Sequence, residues 1–152
     1  NPFLQNNSKV LFIVAGKGNV FTSETMCLYN NLLVINRFIP TEQLEAIMDA
    51  TDVQLLPYRV ISQSGVLLST IEIPYIATDV GGLLDPIHIA PIGWSIPMNS
   101  AEVFSSLLEF LVQHPEEILC KKNNRIGWES VKQYYDWENI GRKTMECYMH
   151  VL

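Results

Sequence analysis

The sequence predicts an α/β fold in which a mostly parallel sheet is flanked by helices and followed by a helical tail. Three observations predict it. Short apolar runs rich in β-branched residues alternate with helical patterns from Lys9 to Thr78, an order that builds parallel sheets through right-handed crossovers. These runs are followed by loops rich in glycine or polar residues, and such loops, at the carboxyl ends of strands, are where open sheets bind ligands. The stretch 125–152 reads as a closing helical tail with Trp128, Val131, Tyr135, Ile140 and Tyr148 as apolar anchors. A chain of 152 residues suits one domain, 1–152, with a sizeable core.

In chain order, Lys9 to Ala15 is a nearly unbroken apolar run, expected as a strand buried on both faces and ending in the turn Gly16-Lys17-Gly18-Asn19. Phe21 to Asn31 follows as a short helix with Ser23 as N-cap, and Leu32 to Ile35 as a second strand. Pro40-Thr41 opens an amphipathic helix, because Leu44, Ile47 and Met48 share one face while Glu42, Glu45 and Asp49 lie on the other. Asp52 to Leu56, Ser64 to Ile71 and Pro74 to Thr78 read as strand, helix and strand. Ile92 to Pro97 reads as an edge strand. Asn99 and Glu102 are placed to form a capping box for a helix with Val103, Leu107, Leu108 and Leu111 inward, stopping before His114-Pro115. A second helix runs to about Lys122, and no internal repeat or linker is evident.

Charge and composition exclude several functions. A formal net charge of −6 disfavours tracking a nucleic-acid backbone or lying on anionic lipid. No apolar run is long enough to span a bilayer, so no membrane insertion is expected. Cys27, Cys120 and Cys147 are widely spaced and suit free thiols, buried or half-buried, in a reducing compartment rather than disulfides or zinc. A cytoplasmic location is expected, and peripheral association of a parent enzyme at the inner membrane face stays open. With Asn1 in place of an initiator Met, the chain is expected to start inside a longer protein.

The sharpest candidate for chemistry is Gln63-Ser64-Gly65. A helix starting there leaves the amides of Gly65, Val66 and Leu67 directed beyond the strand ends, and glycine admits a ligand close to the backbone. A phosphate or diphosphate is the natural guest. The helix dipole stabilises an anion by only about 0.3–1 kcal/mol, so a cation is needed as well, and Arg59 can supply a two-pronged charge-assisted hydrogen bond. An ordinary capped helix beside a solvated Arg59 is the alternative. Gly81-Gly82 after Asp79 is either a tight turn or a second ligand loop, and Asp79 is the best candidate for a polar contact among Glu72, Asp79 and Asp85. Gly16-Lys17-Gly18 matches neither a Walker loop nor GxGxxG, so a backbone contact is its plausible role. His88, His114 and His150 are scattered and read as structural or surface residues. Ser64 lacks the GxSxG context of a hydrolase nucleophile, and no catalytic residue is assigned.

Pro57-Tyr58-Arg59, Gln63-Ser64-Gly65-Val66, Pro74 and Ala77-Thr78-Asp79-Val80-Gly81-Gly82 stand in order with Ile39 to Leu44 and Ala50 to Pro57 upstream. Together with Val10 to Gly18 and Tyr135 to Ile140, they resemble the nucleotide-sugar-binding half of GT-B glycosyltransferases of the family 4, or group 1, type. The resemblance implies a Rossmann-like domain, the C-terminal half of a GT-B fold, that binds a UDP- or GDP-linked sugar as substrate, with no cofactor and no metal. It implies a retaining transferase of polysaccharide or glycoconjugate assembly, whose glycan or lipid-linked acceptor is held by an N-terminal domain outside this chain. Arg59, Gln63, Ser64, Gly65 and Val66 are then diphosphate-side residues. Gly16, Lys17, Gly18, Phe38, Thr70, Asp79, Gly81 and Gly82 are nucleotide- or sugar-side residues. The family's paired glutamates are replaced by Ser62 and Thr70, and its opening strand and basic loop would precede Ser8, so this portion alone is expected to be inactive. A non-catalytic nucleotide-binding or regulatory module is the competing class.

Overall fold

A computed structural model describes residues 2–18, 24 and 27–151. Its elements, in chain order, begin with α1 (Pro2–Asn6), β1 (Phe12–Ala15), β2 (Leu32–Ile35), α2 (Thr41–Asp49), β3 (Gln54–Leu56), α3 (Gly65–Ser69) and β4 (Tyr75–Thr78). A 3-10 turn (Gly81–Leu83), α4 (Asp85–Ile89), β5 (Gly93–Ile96), α5 (Ala101–Gln113), α6 (Pro115–Lys122), α7 (Arg125–Tyr134) and α8 (Trp137–Val151) complete them. The chain divides into two compact units, residues 1–51 with 101–115 and residues 52–100 with 116–152.

In the first unit β1 and β2 pair in parallel, from Phe12 opposite Leu32 to Ala15 opposite Ile35. Phe3, 2% exposed, meets Phe12 edge-on at 5.6 Å, and the Asn31 side chain donates to the carbonyls of Leu4 and Asn7 at 3.0 Å each, tying α1 to the start of β2. The strand expected from Lys9 is shorter and less buried than its sequence suggests. The Val10 amide donates to Asn7 O, so 7–10 is a turn, and Phe12, Ile13 and Val14 are only half-buried. Leu44, Ile47 and Met48 form the half-buried face of α2, as their spacing requires. The helix expected over 21–31, with its Ser23 cap, lies mostly outside the described residues; Glu24 and Cys27 are helical.

The capping box at Asn99 does not form. Asn99 lies in the left-handed region (φ 58), which asparagine tolerates but which is incompatible with the extended backbone of an N-cap, and α5 starts at Ala101. Along α5 Leu111 is buried and Leu107 and Leu108 half-buried, while Val103 is exposed.

In the second unit the strand order is β3-β4-β5, all parallel, with Gln54 opposite Tyr75 and Tyr75 opposite Gly93. β4 is central and all four of its residues are buried, the pattern of a strand covered on both faces. β5 is an edge strand, as expected. Leu56, Leu67, Tyr75, Leu83, Ile92, Trp128 and Val131 form the core, and each large apolar side chain removed from water contributes about 1.5–3 kcal/mol before entropy is counted.

Two polar contacts orient the large rings of this core. The Tyr75 hydroxyl donates to Leu83 O at 3.0 Å, and Trp128 Nε1 donates to Lys121 O at 2.9 Å. α4 is an element not assigned from the sequence; Pro86 stands in its first turn, where proline is at home. α3 is shorter than expected, ending at Thr70 before Glu72 turns into positive φ (98).

The tail does not anchor along its whole length. Trp128 and Val131 of α7 are buried and Tyr135 and Ile140 half-buried, but Tyr148, expected as an anchor, is 64% exposed on α8. The α8 backbone is held instead at its start, where Asp136 accepts from the amides of Glu138 and Asn139. The three cysteines are free thiols, but exposed rather than buried.

Candidate functional site

In the second unit, the loops that follow β3 and β4 carry the candidate residues. Ser64 is 2% exposed with extended backbone (φ −109, ψ 110), and its Oγ accepts from the Leu67 amide at 3.2 Å. It is therefore a true N-cap, and one of the three amides expected for an anion, that of Leu67, is already used. The amides of Gly65 and Val66 have no hydrogen-bond partner among the described residues, and both residues are exposed. A Cβ built on Gly65 meets nothing within 4 Å, so the space beside this backbone is open. Arg59 and Gln63 are exposed on the same loop, and Arg59 makes no ion pair or hydrogen bond among the described residues.

The paired glycines do more than turn the chain. The Gly82 amide donates to Ser62 O at 2.9 Å, which ties the loop after β4 to the loop after β3. Gly81 sits at φ 54, and a Cβ there would be driven into the Ile61 carbonyl. A Cβ on Gly82 would lie 2.5 Å from Gln63 Oε1 and 3.0 Å from Asp85 Oδ2, so its missing side chain makes room for those two groups. The Thr78 hydroxyl at the end of β4 donates to Tyr58 O and closes the base of the same loop pair. Arg59, Gln63, Ser64, Gly65, Val66, Gly81 and Gly82 thus belong to one bonded pair of loops, with Asp79 exposed at its entrance.

Thr70 stands apart from them. It is 7% exposed and its hydroxyl donates to Gln54 Oε1 at 2.8 Å, a bond inside the core at the far end of α3 from Ser64. Ser62, the other residue in a glutamate's place, is exposed and contributes its carbonyl to Gly82.

Tyr135, which the sequence reading treated as packing, lies behind these loops. Its hydroxyl is buried without a hydrogen bond of normal geometry. Burial pushes it above the usual phenol range; the nearby Gln63 carboxamide, which favours the ionised form, offsets this in part, and Asp85 and Tyr134 raise it further. Tyr75 is raised as well, first by burial and then by Tyr135.

In the first unit a separate groove of about 510 Å³ is lined by Lys17, Gly18, Asn36, Arg37 and Phe38. The Gly18 amide donates to Asn36 Oδ1 at 2.9 Å, joining the loops that follow β1 and β2. Arg37 donates to Gln43 Oε1 at 2.6 Å and to Phe38 O at 3.2 Å, and Phe38 is 79% exposed. Lys17, Gly18 and Phe38 were expected here, with Gly16 (φ 147) just before them; Asn19 lies outside the described residues. Asn36 and Arg37 belong to the loop after β2, which sequence alone offers as a ligand loop, although of that loop only Phe38 was singled out as a candidate residue. Among the described residues no group of three or more His, Cys, Asp or Glu side chains is placed to hold a metal ion, and no helix is long and apolar enough to cross a membrane.

Parallel strands between helices, with glycine-bearing loops at the strand ends, define a Rossmann-like fold, and the chain has the fold of the C-terminal half of GT-B glycosyltransferases. No family model and no curated protein matches its sequence. Among solved structures it is similar to sucrose-phosphate synthase from Thermosynechococcus elongatus (TM-score 0.69, 18% identity, 97% of this chain and 41% of that one). It is similar also to HepE of Anabaena, solved in complex with UDP (TM-score 0.71, 13% identity, 99% and 45%). A third is the C-terminal domain of LpcC, a group 1 family glycosyltransferase of Francisella tularensis (TM-score 0.62, 16% identity, 75% and 58%). The chain spans about half the length of the structures it matches.

Proposed function

We propose that this chain is the donor-binding portion of a retaining glycosyltransferase of polysaccharide or glycoconjugate assembly, with a UDP- or GDP-linked sugar as its ligand. The observation that carries the reading is the Gln63-Ser64-Gly65 turn, where a capped helix offers the Gly65 and Val66 amides beside open space and an uncommitted Arg59. Such donors stabilise the charge that develops on a departing nucleoside diphosphate, and they do so without reorganising. The UDP complex of the similar HepE supports a nucleotide ligand. Phe38, Gly16, Lys17 and Gly18 are a separate expectation, a stacking surface and backbone contact for the base. Asp79, Gly81 and Gly82 are assigned to the sugar side, while Thr70, the other residue expected there, is buried with its hydroxyl bonded to Gln54 and is left out of the assignment. In the parent protein, taken as cytoplasmic, a glycan or lipid-linked acceptor would be met by residues outside this chain.

Arg59→Ala is expected to weaken UDP binding about tenfold, the scale of one charge-assisted hydrogen-bond pair, with the unfolding midpoint unchanged because Arg59 is exposed. Calorimetric titration beside urea unfolding checks both, and an unchanged affinity removes Arg59 from the site. One observation favours a second reading, a non-catalytic nucleotide-binding or regulatory module. No carboxylate stands at Ser62 or Thr70, and the Thr70 hydroxyl is engaged in the core. Nucleotide binding without sugar transfer by the parent protein would select that reading.

A further inference from the structure

We infer that Tyr135 is a positioning residue for the Gln63-Ser64-Gly65 turn, acting through the Gln63 carboxamide. The inference rests on the nucleotide reading of that turn. A phenol hydroxyl buried without a partner is costly, and native structures keep few such groups without a reason. The polar side chains that face it are Gln63 from the loop after β3 and Asp85 from the start of α4.

Both of these also lie over Gly82, where Gln63 Oε1 occupies the space that a Cβ would need. With its oxygen turned to Gly82, the Gln63 carboxamide has its N–H donors left for the Tyr135 oxygen, and its exposed side chain is free to turn toward it. The loop pair would then be fastened on two sides, by the Gly82 amide to Ser62 O at the glycines and by Tyr135 at Gln63. Tyr135 follows α7, whose Trp128 and Val131 are fixed in the core, so its ring is a rigid support for a loop that otherwise has few ties. A nucleotide that holds the turn in one conformation would draw the Gln63 carboxamide onto the Tyr135 hydroxyl.

The test is a double-mutant cycle on UDP affinity, with wild type, Tyr135→Phe, Gln63→Ala and the double variant titrated in parallel and their unfolding midpoints measured. Tyr135→Phe should weaken UDP about tenfold while leaving the midpoint unchanged or higher, because the hydroxyl it removes is unsatisfied. In the Gln63→Ala background the same change should have no effect. A purely structural tyrosine would instead lower the midpoint and leave affinity alone, which overturns the inference. An equal loss of affinity in both backgrounds also overturns it, since Tyr135 would then not act through Gln63. No binding of UDP or GDP by the wild type removes the nucleotide reading and this inference with it; wild-type binding with full affinity in Tyr135→Phe removes this inference alone.

Discussion

Gly81→Ala is expected to lower the stability of the chain by about 2–5 kcal/mol. Two costs combine. Gly81 sits at φ 54, where an alanine is disfavoured by about 1–2 kcal/mol. Its Cβ would also be driven into the Ile61 carbonyl, a backbone atom that no side-chain rotation can move away, and overpacking of that kind costs about 1–3 kcal/mol more. If the backbone yields instead, the Gly82 amide is drawn off Ser62 O and the two loops separate, so nucleotide affinity should fall with stability. Urea unfolding reads the first effect and titration the second. An unchanged midpoint would mean that the glycines form an ordinary turn.

Gly65→Leu should behave in the opposite way. Nothing lies within 4 Å of a Cβ at this position, and the backbone there is helical, so stability should change by less than about 0.5 kcal/mol. The added side chain nevertheless fills the space beside the Gly65 and Val66 amides that a diphosphate must enter. UDP affinity should drop at least about tenfold, a loss of roughly 1.4 kcal/mol or more. Full affinity in a folded Gly65→Leu protein would place the anion elsewhere. Because Gly81→Ala acts through the scaffold and Gly65→Leu through the ligand, the pair separates support of the loops from contact with the nucleotide.

Local chemistry made part of this readable from sequence. Apolar runs gave the parallel strands, the spacing of Leu44, Ile47 and Met48 gave α2, and a Ser-Gly turn before an apolar run gave the start of α3. Each of those signals acts over a few residues. What escaped depends on neighbours far apart in the chain. The strand start at Phe12 rather than Lys9 reflects the turn at 7–10, and the need for glycine at 81 depends on a carbonyl of Ile61. Tyr135 looked like packing because nothing local tells a satisfied phenol from an unsatisfied one. Tyr148 followed the apolar stripe of α8, yet periodicity shows only which residues share a face and not whether that face is covered. Thr70 could be placed opposite a family glutamate, but only its bond to Gln54 shows that its hydroxyl is spent inside the fold.

The most direct measurement is calorimetric titration of the chain with UDP, GDP and uridine. If the turn at Ser64 and Gly65 holds a diphosphate, UDP or GDP gives a saturable heat below millimolar concentration, uridine binds at least about tenfold more weakly, and the difference shrinks in Arg59→Ala. No heat at millimolar UDP or GDP, or equal affinity for UDP and uridine, would contradict the account.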